Sequence, residues 1–494
     1  MNFFCKFLLA VALLMAGHAN ADDLTVRAMK LYEMHHYEAA EKLLRPQLSA
    51  MDSAHKAAAS LALGMSYLGS AMLYRNLHQA ALAVEIDYLG QLRKQRSGTP
   101  SRYVDLYLGQ ALLEADKPAE AAVYLKKFAA QKSVPSDARS FAIVGLGVAY
   151  NKLKQMQKSN SAWSSVDKRK PEIKAALAGA YAMTGTQGYN PVLLADTALN
   201  DAKLQGHVPS ANMFSNILRA FSFAGATDKA LDLLDSRDLA EASYIEELGA
   251  SKSISFYDAG LLADLYRIHL RAAVSYFDQA SRDEKTGKIA TYYLAEAYLL
   301  MGNAEMSLRN AANFLAQSGL PLQYRNKAMV NQAGAYSISG RHTDAHTAWL
   351  AMAEKSTEDP ALLAVVMVSC VQSGLDCLKL EKHALDAIEK GEGKKFFPLN
   401  TALGRYYLRQ KQYAKALLYL EAGRDKANKN KIEANDPVML VDLAQAYYLN
   451  RKYSENLEIY FELGKQFPVV RQLQEAMQGI YAMEQHSAGD VKIF

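Results

Sequence analysis

His342, Asp344 and His346 form the most suggestive chemical spacing in this 494-residue chain. Histidines at i and i+4 share a helix face and can supply two ligands to zinc. The repeat register described below places His342 in a turn ahead of the helix, so the two rings need not share a face. No His-Glu-x-x-His glutamate accompanies them either, and no metal site is expected. His35 and His36 are adjacent, so on a helix they point in different directions, and they fall in a turn before Tyr37. Cys370 and Cys377 are the other reactive pair. An apolar helix ending near Cys370, a turn at Gln372-Ser373-Gly374 and a helix opening at Cys377 can bring their Cα atoms within the roughly 4.4–6.8 Å of a disulfide. A disulfide, two buried free thiols, and a redox or metal site all remain open. Gly391-Glu392-Gly393-Lys394-Lys395 lacks the spacing and the preceding strand of a phosphate loop. There is no G-x-S-x-G elbow. A triad dispersed through the fold is invisible at this level. The expectation is therefore no catalytic residue, no cofactor and no enzyme.

Composition narrows the architecture that must position these residues. Half the residues are hydrophobic and 22% are charged, which is enough to bury a core. Only 12 prolines occur, and long Val/Ile/Thr alternations are missing, which excludes an all-β chain and favours helices throughout. The net charge of +5 comes without a dense basic stripe, so no nucleic-acid partner is expected.

Residues 1–21 have the pattern of a secretory signal peptide. Lys6 gives the positive start, Phe7 to Gly17 the short apolar stretch, and Ala19-Asn20-Ala21 the small residues of a cleavage site. No other segment reads as a membrane span. The best, Ala361 to Val371, falls short of the about 20 residues needed. An exported, soluble, periplasmic location follows as an expectation.

One unit recurs along the rest. A Leu-Gly or Leu-Ala pair is followed three residues after the small residue by an aromatic or Leu anchor. A small residue lies nine beyond the anchor, and a large apolar one four further on. Leu108-Gly109, Leu112, Ala121 and Leu125 form one copy. Leu146-Gly147, Tyr150, Ser159 and Trp163 form another, and Leu403-Gly404, Tyr407, Ala416 and Leu420 a third. Gln332-Ala333 with Tyr336, Ala345 and Trp349 continues the series. So do Leu294-Ala295 with Tyr298, Leu443-Ala444 with Tyr447, and a degenerate Phe221 with Ala230 and Leu234. Leu31 opens the series, and Leu63-Gly64 with Tyr67 reads as a further first half.

This pattern resembles the tetratricopeptide repeat (TPR), a helix–turn–helix unit of about 34 residues, and the whole resembles bacterial periplasmic TPR scaffolds. The resemblance implies an all-α fold, a right-handed α-solenoid of stacked repeats, with roughly twelve helix pairs at a mean spacing of about 38 residues. The expected divisions are residues 22–200 and 286–494 for the clearer repeats and 201–285 for degenerate ones. The register is loose in 181–210, 240–285 and 375–395.

In that family first helices line a concave groove. Residues two or six before an anchor, or one after it, then face a partner: Gln110, Asn151, Arg219, Tyr292, Glu296, Arg405, Gln445 and Tyr448. No Lys stands six before any anchor, so the family's lysine-based carboxylate clamp is not expected. The functional expectation is a non-enzymatic exported scaffold binding proteins or peptides in an envelope assembly, such as secretion, pilus, polysaccharide-export or outer-membrane machinery. A carbohydrate or peptidoglycan-binding module, or a helical subunit of a cell-wall enzyme, is the alternative. Self-association is open, with the polar stretch Glu484 to Lys492 as a candidate cap.

The cysteine alternatives separate in one measurement. A disulfide closing an eight-residue loop contributes about 2.5 kcal/mol in the chain-entropy treatment. Labelling of the unfolded, signal-free protein should then modify no thiol before reduction and two after it. Two labelled thiols without reductant would exclude the bond.

Overall fold

The computed structural model describes residues 21–467 apart from 95–102, 207–209, 237–258, 357–358, 373–375, 392–395 and 425–434, together with residues 470, 474, 477, 478 and 481. The signal segment up to residue 20, the Gln372-Ser373-Gly374 turn beyond residue 372, and the 484–492 cap lie outside the described residues.

The architecture follows from how each first helix stops. Four residues after an anchor, the backbone turns left-handed, at His35, Asp116, Lys154, Gly185, Gly225, Gly302, Gly340, Lys411 and Arg451. One residue later the N–H returns to the anchor's carbonyl, as in Lys117 to Leu112 (2.8 Å), Arg341 to Tyr336 (2.9 Å) and Lys452 to Tyr447 (2.9 Å). This is the six-to-one bond of a Schellman stop, which satisfies a carbonyl that the ending helix orphans. The next helix then opens six residues after the anchor, at Tyr37, Pro118, Met156, Thr227, Ala304, His342, Tyr413 and Tyr453. The fold is accordingly all-α and TPR-like, built of helix pairs packed in chain order, with no strand among the described residues.

Close approach within a pair depends on the small residue. A Cβ on Gly109 would sit 2.6 Å from Leu125 Cγ, and one on Gly147 would fall inside the Trp163 indole. Where the facing residue of the second helix is polar, it fastens the pair. Ser159 Oγ donates to the Gly147 carbonyl (2.8 Å), Ser307 Oγ to that of Ala295 (2.8 Å) and Asn456 Nδ2 to that of Ala444 (2.6 Å). Each bond joins residues twelve apart, so a buried polar side chain is satisfied by the carbonyl it faces. Trp163 adds an indole N–H bond to the Val144 carbonyl (3.1 Å).

The chain divides into two compact units, residues 1–73 with 269–462 and residues 74–268 with 463–494. In the first, the first helices Gly287–Leu300, Leu322–Ile338, Pro360–Gln372, Phe397–Arg409 and Pro437–Leu449 pack successively on one another. In the second, Val104–Glu114, Ser136–Lys152, Pro171–Thr184 and Ala211–Ala224 do the same.

Several sequence expectations are corrected. Ten helix pairs occur among the described residues, and two long helices, Ser53–Lys94 and Ala259–Ala280, interrupt the series. Tyr67 is no anchor, because Ala71, four residues on, stays helical and the chain runs straight through. His342 opens its helix instead of preceding it. The stretch His55–Gln91 of Ser53–Lys94 has the length and hydropathy to cross a membrane, which the sequence reading passed over, but 83% of its most apolar window is buried in protein. The loosely registered stretch from residue 181 falls in an ordinary pair, Pro171–Thr184 and Pro191–Leu204, whose longer link displaced the expected spacing.

The turn and the contact make different demands on glycine. Gly340 needs its left-handed φ of 77° and meets nothing within 4 Å, whereas Gly147 needs space. Gly340→Ala should cost about 1 kcal/mol, and Lys411→Gly should gain a few tenths, by denaturant melts. Gly147→Ala should cost about 1–3 kcal/mol through the Trp163 clash. Equal losses at Gly340 and Lys411 would contradict the turn argument.

Candidate functional site

Within the first unit, the five successive first helices and Met72 line a cavity of about 910 Å³. The repeat register explains its walls. Tyr292, Val330 and Thr401 stand six residues before their anchors, and Glu296 and Arg405 two before. Of the eight groove residues expected from the sequence, Tyr292, Glu296 and Arg405 meet here. Lys327 and Asn331 share the same helix face at i and i+4 but fall outside the family positions, so the register missed them. The aliphatic wall, Ala361, Ala364, Val365 and Val368, comes from a helix apolar all round, which carries no amphipathic signal.

Two buried donors in this lining lack a hydrogen-bond partner among the described residues. Arg405 bonds through Nε to Asp442 on the neighbouring first helix, while its Nη2 has no hydrogen-bond partner among the described residues. Asn331 is buried, and its Nδ2 likewise has none. Such groups are rare in folded proteins because burial costs them their water.

Glu296 sits beside Lys327 and accepts from Tyr292. Burial raises its carboxyl above the ordinary value, and the lysine charge and tyrosine bond only partly oppose this. Tyr292 itself is buried among Tyr293, Phe314 and Tyr324 with ring centroids 4.9–5.6 Å away, so it reaches the cavity from within an aromatic cluster. Burial pushes the Tyr324 hydroxyl up to about 12.

The remaining expected contacts are placed otherwise. Arg219, in the second unit, lies 3.1 Å from both Glu114 and Asp264, and Asp264 also accepts from Ser222 (2.7 Å) and Arg267 (2.6 Å). That network links first helices to Ala259–Ala280 and makes Arg219 a packing residue. Gln110 and Asn151 are half-buried in the same unit, with Asn151 Nδ2 3.5 Å from Met156 Sδ. Gln445 is half-buried. Tyr448 is buried against Tyr453, with centroids 5.8 Å apart, and is a core residue.

Cys370 and Cys377 are joined by a disulfide, with Cα atoms 6.1 Å apart. It ties the cavity-lining helix Pro360–Gln372 to Leu378–Lys390. His342 and His346 are exposed, and Asp344 accepts from Arg341 Nε (2.7 Å). No cluster of three or more His, Cys, Asp or Glu side chains arranged to hold a metal occurs among the described residues.

No protein-family model matches the chain, and no curated protein matches it. Solved structures of helical-repeat proteins align over most of its length. They include yeast Tom70, at 12% identity and a TM-score of 0.32, covering 95% of this chain and 96% of that one. The APC/C hetero-tetramer Cut9–Hcn1 aligns at 13% and 0.27, covering 95% and 98%. The TPR domain of P58(IPK) aligns at 15% and 0.21, covering 78% and 99%. At such identities and scores the likeness adds nothing to the architecture described above.

Burial disfavours ionised Glu296, so its folded-state pKa lies above the unfolded value. A group of this kind contributes its full stability below the unfolded pKa and loses it as pH rises through the folded one. Glu296→Gln should therefore raise Tm at pH 7.5, with the gain closing as pH falls toward about 4. A gain independent of pH would exclude titration of this carboxyl as its origin.

Proposed function

We propose that the chain is a non-enzymatic, exported scaffold that holds a segment of a partner protein in the cavity of its first unit, within a cell-envelope assembly. The observation that carries this reading is the cavity itself. Five successive helices present aliphatic walls with a few polar groups between them, which suits an extended chain with apolar side chains and a hydrogen-bonding backbone. A glycan site favours open aromatic faces, and here Tyr292 is engaged in its own ring cluster. Export rests on the pattern of residues 1–21 and agrees with a disulfide, which persists in oxidising compartments.

The test is a photo-crosslinking residue placed at Val365 in the full-length protein in its own cells. The expected outcome is a discrete polypeptide adduct in the envelope fraction, strongly reduced when Ala364→Trp fills the cavity. Efficient accumulation of the protein with no polypeptide adduct, or an adduct indifferent to Ala364→Trp, would overturn the reading.

A further inference from the structure

We infer that the first-unit cavity selects a peptide segment bearing one acidic side chain between aliphatic residues, with the carboxylate received by Arg405 and Asn331. This deepens the peptide-binding reading above and rests on it.

Two donors in the cavity lining lack a partner among the described residues. Arg405 Nε is committed to Asp442, which holds the guanidinium plane in place. Its Nη2 is buried, lacks a partner among the described residues, and belongs to a residue lining the cavity. Asn331 Nδ2 has the same three properties. A buried donor regains what burial took from it only when an acceptor arrives, and a carboxylate is the strongest acceptor a peptide offers to a guanidinium.

Charge limits how much acid the cavity can take. The lining holds two cations, Lys327 and Arg405, and two acids, Glu296 and Asp436, and Arg405 is already paired with Asp442. Glu296, Asp436 and Asp442 oppose a second negative charge. One carboxylate is therefore accommodated, and an acidic run is not. The neighbouring wall of Val330, Val365 and Val368 accepts aliphatic side chains on either side of the acid.

The probe is a pooled library of N-acetylated, C-amidated nonapeptides with Ala, Val, Leu or Ser at the flanks and Asp, Glu, Asn or Gln at the centre. It is passed over immobilised signal-free protein and read by mass spectrometry. Acidic centres should be retained about tenfold over their amides, the size of one charge-assisted hydrogen bond. Arg405→Gln should bring that ratio near unity. Asn331→Asp, which sets a carboxylate where the structure has a donor, should invert it. Arg405→Lys keeps a charge opposite Asp442 and loses the second guanidinium nitrogen, so it should lower the ratio even if Arg405→Gln fails to fold. Retention of peptides with equal acidic and amide centres would overturn the inference while leaving peptide binding intact. Selective retention of free-C-terminus peptides without an acidic side chain would overturn it by assigning the donors to a chain end. Retention of no peptide would overturn the peptide-binding reading itself.

Discussion

The fold depends on one constraint repeated along the chain: the first helix of a pair must reverse within a fixed number of residues and lie directly against the second. The left-handed residue four after the anchor and the bond back to the anchor carbonyl set the reversal. The small residue three before the anchor sets the distance. With both fixed, every pair presents the same positions of its first helix in the same direction. That is why residues six and two before successive anchors, such as Tyr292, Thr401, Glu296 and Arg405, collect on one cavity although they are far apart in sequence.

The same constraint explains what the sequence could reveal. Anchors, small residues and helix starts are local and repeat, so a spacing found in several copies identifies them even where the turn residue varies from glycine to Asp116 or Lys154. The left-handed position carries glycine at 185, 225, 302 and 340. Its occupation by charged residues elsewhere hides a shared geometry behind unlike side chains. Tyr67 shows the converse. It has the preceding Leu-Gly pair, but Ala71 supplies no reason to stop, and helix propensity carries the chain on to Lys94. A pattern of contacts without its stop signal does not make a repeat.

The cavity was half legible for a related reason. Register predicts which residues face it, and Tyr292, Glu296 and Arg405 do. It does not predict which facing groups are already used. Arg219 and Arg405 occupy the same register position, two residues before Phe221 and Tyr407. Arg219 ion-pairs through Nη2 with Glu114 and through Nε with Asp264, whereas Arg405 meets Asp442 through Nε and its Nη2 has no partner among the described residues. The difference is made by residues on other helices, more than thirty positions away, and so belongs to tertiary structure alone. Tyr448 was misassigned by the same blindness, because its face is covered by Tyr453.

Several buried polar groups elsewhere in the first unit find acceptors on neighbouring helices. The hydroxyls of Tyr406 and Tyr407 both donate to Glu381 (2.9 and 2.6 Å), and that of Tyr447 to Glu421 (2.6 Å). Asn400 donates to the Phe396 carbonyl (3.0 Å). A chain that satisfies anchor hydroxyls with carboxylates from second helices has the means to satisfy Arg405 and Asn331 in the same way. Glu381 also lies on the helix that the Cys370–Cys377 bond ties to the cavity wall. The covalent link and the tyrosine bonds together hold Pro360–Gln372, Leu378–Lys390 and Phe397–Arg409 in register, and the first and last of these bring the aliphatic wall and Arg405 to the cavity. Rigid support of this kind preserves a donor for an incoming acceptor: a loosely held guanidinium would swing to water, whereas one fixed by Asp442 and its neighbours keeps its Nη2 N–H in place in the cavity lining.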